Sequence, residues 1–219
     1  MRVLVIAAHP DDEVLGVGGT IARYAKEGAS VCILIVTEGC SAQYPGVVEM
    51  VERKQREAKE AARILGVSDV RFGGLPDMKL DTFPSVEVNA CLEKVVRDFK
   101  PEVVFTQAEH DVNRDHRVIF DATAVACRPF SAPYVQRIYS YYTPSSSEWG
   151  TTSFQPTSYF DVSDFFELKL AAMSAYSSEV RPFPHPRSVE ALRNVAGFFG
   201  NAMGVRFAEP FRLFREVHR

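Results

Sequence analysis

The chain is poor in everything that would staple it, anchor it or bind it to a polyanion. It has only four cysteines in 219 residues. Cys32, Cys40, Cys91 and Cys127 are scattered and form no CxxC pair, so no disulfide framework is expected. Cys32 and Cys91 fall in apolar or helical patterns, where a free thiol packs as a small hydrophobe. No apolar run approaches the roughly 20 residues of a membrane span. The opening MRVLVIAAH carries one basic residue and is too short for a signal peptide, so a reducing cytoplasm is the expected location. A basic surplus is also missing. The formal net charge of -3 leaves nothing to neutralise phosphates, and nucleic acid is not an expected partner. Internal repeats and low-complexity linkers are absent too.

What is present is a globular composition, 46% hydrophobic and 24% charged, long enough to bury a substantial core. RVLVIAAH is a continuous β-branched run, the pattern of a strand buried on both faces. Helical character follows from about Val14 to Lys26. SVCILIVTEG reads as a second buried strand, and VEMVERKQREAKEAARILG as an amphipathic helix capped by Gly66. DVRFGGLPD, SVEVNACLEKVVRDF and EVVFTQ continue as strand, helix, strand. Arg114 to Cys127 is helical again, and YVQRIYSYY alternates like a strand near an edge. This alternation predicts an α/β fold: a Rossmann-like, doubly wound, mostly parallel sheet with helices on both faces.

After about Pro144 the pattern changes. SSSEWGTTSFQPTS reads as loop, TSYFDVS as a strand and Asp164 to Ser174 as a helix. EVRPFPHPRS is a rigid proline-rich loop, Ser188 to about Ala202 a helix, and RFAEPFRLFREV a last strand or extended tail. A single domain, 1–219, is expected, with an α/β core over 1–143 and a C-terminal loop and helix elaboration over 144–219 that contributes to the site.

Polar residues gather where the strands end. The first strand runs into His9, Asp11, Asp12 and Glu13, the second into Thr37-Glu38-Gly39, the third into Pro76-Asp77, the fourth into EHDVNRDH. Ligands of open α/β sheets bind at that edge. Helix capping would account for one aspartate, but three carboxylates beside a histidine exceed it, because adjacent carboxylates repel unless a cation or proton lies between them. A dinucleotide site fits poorly: Gly16-Val17-Gly18-Gly19 lacks GxGxxG and lies well past the strand end. A Mg²⁺ phosphoacceptor built on Asp11, Asp12 and Asp77 would not call for His9 and His116. Zinc fits best. Two histidines and a carboxylate with an open position form a catalytic zinc set. His9 and Asp12 stand three apart across a turn stiffened by Pro10, and Asp115-His116 is the source of a third ligand. Asp11 is then free to act on a water that the metal activates.

AHPDDE followed by a distant DxNxDHR resembles the PIG-L / LmbE-like N-acetylglucosaminyl deacetylase family. REAKEAARILG and LPDMKLD are similar to that family's central helix and to its loop after the third strand. The likeness covers roughly the first 130 residues, and SSSEW, SEVRPFPHPRS and AEPF resemble one branch. It implies Zn²⁺, or another divalent transition metal in its place, held by His9, Asp12 and His116, with Asp11 as general base. Many members carry HxDH at the second motif, whose first His helps the tetrahedral intermediate. Here that position is Asn113, which can donate a hydrogen bond but cannot titrate.

The acid duty must therefore move, and His185 and His110 are the candidates. His185, held between Pro184 and Pro186, is expected to face the reacting carbonyl, oriented by Asp115. For the substrate, Asp77 and Arg53 are candidates. Trp149 could stack on a sugar, and Arg181 and Arg187 could hold a phosphate or carboxylate. Lys54 and Arg56 read as a solvated helix face. The expected activity is zinc-dependent removal of acetyl from an N-acetylated amino sugar or its conjugate, a small-molecule partner, in a chain that leaves room for a homo-oligomer. A Mg²⁺ phosphoacceptor domain and a noncatalytic sugar-binding module are the rival readings.

Overall fold

The computed structural model describes residues 1–218. Its centre is a seven-stranded sheet of β1 (Arg2–Ala7), β2 (Ser30–Thr37), β3 (Asp69–Leu75), β4 (Val103–Gln107), β5 (Arg137–Tyr141), β6 (Ser158–Asp161) and β7 (Ala208–Glu216). The order is β3-β2-β1-β4-β5-β7-β6. The first five strands pair in parallel, and β7 is antiparallel to both β5 and β6. Six helices cover it: α1 (Asp12–Lys26), α2 (Val48–Ile64), α3 (Ser85–Phe99), α4 (Arg114–Ala126), α5 (Phe166–Ala175) and α6 (Val189–Met203). No helix among the described residues is long and apolar enough to cross a membrane.

The apolar run of β1 serves two cores at once. Val3, Val5 and Ala7 pack with α1, α2, α5 and α6 residues such as Ile21, Ala61, Phe166 and Leu192. Leu4, Ile6 and Ala8 pack on the other face with α3 and α4 residues such as Leu92 and Ile119. Side chains alternate across a strand, so a strand covered on both faces must be apolar at every position. The helices that follow the adjacent strands β1 and β4 thus lie on opposite faces. That is the switch point of a doubly wound sheet, and a crevice opens at the carboxyl ends of those two strands.

Two expectations need correction. YVQRIYSYY is not near an edge: β5 is internal, because β7 returns from the C-terminus and pairs along it. The first helix begins at Asp12 rather than near Val14, so Asp12 and Glu13 occupy its first turn. The ambiguous RFAEPFRLFREV segment is a strand.

The glycines of α1 are explained by contact, not by phosphate binding. A Cβ on Gly16 would lie 2.3 Å from Cδ2 of Tyr141, and one on Gly19 would lie 2.7 Å from Cβ of Val162. A buried ion pair also meets this helix. Lys169 Nζ donates to Glu209 Oε1 at 2.6 Å and to the Leu15 carbonyl at 2.8 Å. Glu209 in turn accepts from the backbone N–H groups of Gly19 and Thr20. Removing one partner of a buried pair leaves the other charge uncompensated, at a cost of about 3–5 kcal/mol. Glu209 would keep two backbone donors, so Lys169→Met is expected to lose about 3 kcal/mol, the low end of that range. Urea denaturation measures it; a loss below about 1 kcal/mol would mean that the pair does not hold α1 to the C-terminal strand.

Candidate metal centre and active site

His9 opens the turn that leaves β1, and Asp12 stands in the first turn of α1. His116 stands in the first turn of α4. Their donor atoms form a nearly equilateral triangle. His9 Nδ1 lies 3.2 Å from Asp12 Oδ2, His116 Nε2 lies 3.3 Å from the same oxygen, and the two ring nitrogens are 3.3 Å apart. Tetrahedral zinc, bound at about 2.0–2.1 Å, separates its donors by about 3.4 Å, so the three atoms fit around such an ion. These residues can hold a divalent metal.

The surrounding shell fits the same reading. The other nitrogen of each ring meets a carboxylate: His9 Nε2 is 3.1 Å from Asp115 Oδ2, and His116 Nδ1 is 3.2 Å from Asp111 Oδ2. Such partners fix the tautomer and aim of a ligating imidazole. Gln107 Nε2 donates to Asp12 Oδ2 at 2.7 Å, and Thr143 Oγ1 holds Gln107 at 2.9 Å. His9, Asp77 and Asp115 also converge. That set is weaker as a zinc site, because it offers one imidazole instead of two and both oxygens of Asp115 already accept backbone N–H groups, those of Met78 and Leu80 at 2.8 and 3.0 Å. Asp115 therefore ties the 78–80 loop to α4 and steadies His9.

The electrostatics follow from burial and crowding. Burial opposes a charged His116, but Asp12 and Asp111 outweigh it and lift its pKa to about 9. His9, likewise disfavoured by burial, is raised well above its ordinary value by Asp115 and Asp12. Despite burial, both imidazoles hold Asp12 below the usual carboxylate range, His116 more strongly. A metal must displace the ring protons to bind. The sign is then fixed: affinity falls as pH drops and rises as pH climbs toward the His116 value near 9. An apparent zinc dissociation constant followed from pH 6 to 9 is expected to tighten by up to about tenfold per unit for each proton displaced. A pH-independent constant would mean that these imidazoles are not the ligands.

Asp11 precedes Asp12 with φ 117°, a left-handed conformation that a side-chain-bearing residue adopts at a cost of about 1–3 kcal/mol. Strain of this kind persists where surrounding structure enforces it. Burial, then repulsion from Asp12 and Glu179, raises the Asp11 pKa well above its ordinary value, against the pull of Arg187. Glu13, buried behind it, is pushed to about 7 by burial, opposed by the Tyr176 hydroxyl that donates to it.

The cleft is about 200 Å³, below the size of typical drug-binding pockets. It is lined by the three candidate ligands with Asp11, Asp77, Asn113 and Arg187. Other expected residues are not brought there. Arg53 is spent on Glu57 and Ser177 outside the cleft, and its neighbour Lys54 lines it instead. Trp149 is 75% exposed and does not line it. Arg181 folds back on the carbonyls of Ser178 and Val180. His110 lines a second cavity with Asp111 and Arg212. His185 is absent from the cleft wall: its Nδ1 accepts the Arg187 backbone N–H at 3.1 Å, and burial followed by Arg187 lowers its pKa. Asp115 is occupied by His9 and the 78–80 backbone rather than by His185. Asn113 caps α4 through Oδ1, which accepts the Asp115 N–H at 2.9 Å.

Sequence reasoning missed Lys54, Asp111, Gln107, Thr143 and Glu179. Lys54 had a signal. It continues the stripe Ala58, Ala61, Ala62, Leu65, the buried face of α2, and is itself 5% exposed.

The model of the PIG-L family, described as GlcNAc-PI de-N-acetylase, matches residues 4–127. The diacetylchitobiose deacetylase of Thermococcus kodakarensis is 28% identical, over 97% of this chain and 82% of its own. The structure of N,N'-diacetylchitobiose deacetylase from Pyrococcus horikoshii, complexed with its inhibitor MPG, matches with a TM-score of 0.80 at 28% identity, covering 97% of this chain and 83% of that one. GalB, the 4-carboxy-2-hydroxymuconate hydratase of Pseudomonas putida KT2440, matches with a TM-score of 0.80 at 23% identity, covering 100% and 98%. That likeness shows the fold alone, and unlike chemistries on one fold leave the reaction to be argued from the site. On the extent of the model match, the chain belongs to the PIG-L family of GlcNAc-PI de-N-acetylases.

Proposed function

We propose that this protein is a zinc-dependent hydrolase that removes the acetyl group from an N-acetylated amino sugar or its conjugate. The observation that carries the reading is the triangle of His9 Nδ1, Asp12 Oδ2 and His116 Nε2 with Asp11 beside it. A zinc ion held by these three residues supplies Lewis acidity toward the acetamide carbonyl and lowers the pKa of a water. Asp11 takes the proton of the attacking water; it lines the cleft beside the candidate ligand Asp12, with its Oδ2 steered by Arg187 Nη1 at 3.3 Å. The same carboxyl then returns that proton to the leaving amine. We assign the return to Asp11 because His185 stands outside the cleft wall. Asn113, fixed by its capping bond and with Nδ2 donating to Met78 Sδ at 3.6 Å, keeps one N–H as a donor toward the acetamide oxygen. Asp111 and Asp115 hold the two rings, and Asp77 and Arg187 line the sugar's side of the cleft.

Two imidazoles in the donor set speak against the Mg²⁺ phosphoacceptor reading, since magnesium favours oxygen. We infer one domain over 1–219, supported by Glu179 and Arg187 reaching Lys54 and Asp11 of the core. Four free cysteines support a reducing, cytoplasmic setting. The test is acetate release from N-acetylglucosamine and di-N-acetylchitobiose by zinc-loaded protein. Matched amounts of acetate and free amine are expected. Saturable sugar binding without acetate would favour a noncatalytic sugar module.

A further inference from the structure

Two long basic side chains line the cleft, Lys54 and Arg187, and Glu179 pairs with both. Lys54 Nζ donates to Glu179 Oε1 and to the Gly39 carbonyl, each at 2.5 Å. Arg187 Nη1 donates to Glu179 Oε2 at 2.6 Å and reaches Asp11 Oδ2 at 3.3 Å. Glu179 is 5% exposed and divides its two oxygens between the two cations. The Nε of Arg187 has no partner and is sealed from solvent, so an incoming anion would meet only the outer edge of the guanidinium, where Nη1 is already shared between Glu179 and Asp11. Four carboxylates line the same cleft: Asp11, Asp12, Asp77 and Glu179. These acidic neighbours disfavour a further anion in the cleft. A substrate phosphate or carboxylate, which the sequence assigns to Arg187, would therefore compete with Glu179 and Asp11 for a guanidinium already paired.

We propose that Glu179 is a specificity-determining residue, which keeps Lys54 and Arg187 neutralised and so makes the cleft select uncharged N-acetyl sugars over anionic conjugates. The proposal rests on the deacetylase reading. An anionic group within the cleft would meet committed cations and nearby carboxylates, an unfavourable pairing of like charges. A sugar hydroxyl asks only for a donor or an acceptor. Asp77 and the unpaired lone pairs of Asp11 and Glu179 supply acceptors.

The test compares two substrates matched except for charge at the carbon next to the acetamide: the α-methyl glycoside of N-acetylglucosamine and N-acetylglucosamine α-1-phosphate. Acetate release by the zinc-loaded full chain should show kcat/KM at least about tenfold higher for the methyl glycoside. Glu179→Gln frees one or both cations, and that ratio should shrink or invert, chiefly through KM for the phosphate. The wild-type ratio stands even if the variant fails to fold. Equal or faster turnover of the phosphate by the wild type overturns the proposal alone, and so does a folded Glu179→Gln enzyme with an unchanged ratio. Turnover of neither sugar overturns the deacetylase reading and this proposal with it.

Discussion

Asp11→Asn is expected to lower kcat by about 10²–10⁴-fold, the usual contribution of a general base, while zinc content stays at the wild-type level. Asn is the informative substitution because it keeps the shape of Asp11 and tolerates the left-handed backbone at φ 117° better than most residues. Thermal stability should hold or rise slightly. The wild-type carboxylate is buried beside Asp12 and Glu179, and that repulsion disappears with the charge. A variant that lost its zinc together with its activity would make Asp11 a ligand. A variant with near-normal kcat would move the base elsewhere, and the raised Asp11 pKa would then reflect crowding alone.

His116→Ala is expected to abolish stable zinc binding and, with it, turnover. The carboxylate behind that ring sets the scale. Asp111 touches His116 Nδ1 at 3.2 Å, and loss of such an outer partner typically weakens a metal by about 10–100-fold, so Asp111→Ala should fall in that range. Removing the imidazole itself must exceed it. The fold should survive. His116 stands in the first turn of α4, away from the Ile119 and Ala122 positions that pack into the core. Circular dichroism and zinc analysis on one sample separate the two effects. Full zinc occupancy in the variant would show that the third ligand lies elsewhere, with Asp77 and Asp115 next in line.

The candidate ligands were legible because each lies in a short, local pattern. His9 and Asp12 follow a strand that is apolar from Val3 onward, and such a strand announces itself without any partner. His116 lies in the helix after β4, another buried strand. The edge position expected for β5 was not legible correctly, since its neighbour β7 pairs with it from the far end of the chain. Pairings of that separation leave no trace in local periodicity. The same holds for the cleft's charge balance. Lys54 and Glu179 are 125 residues apart, and only packing of α2 beside the segment after α5 brings them within 2.5 Å. Read locally, Lys54 sits in a run of alternating charges and looks solvated. His185 failed in the opposite sense: flanking prolines suggested a poised imidazole, and the loop aims Arg187 at the cleft instead.

The measurement that bears most directly on the central claim is a zinc titration of chelator-stripped protein, with acetate release from di-N-acetylchitobiose followed at each step. The account predicts negligible release from the stripped chain and a linear rise that ends at one zinc per chain, with no recovery in His116→Ala. Full acetate release by the stripped protein, or equal recovery by His116→Ala, would contradict it.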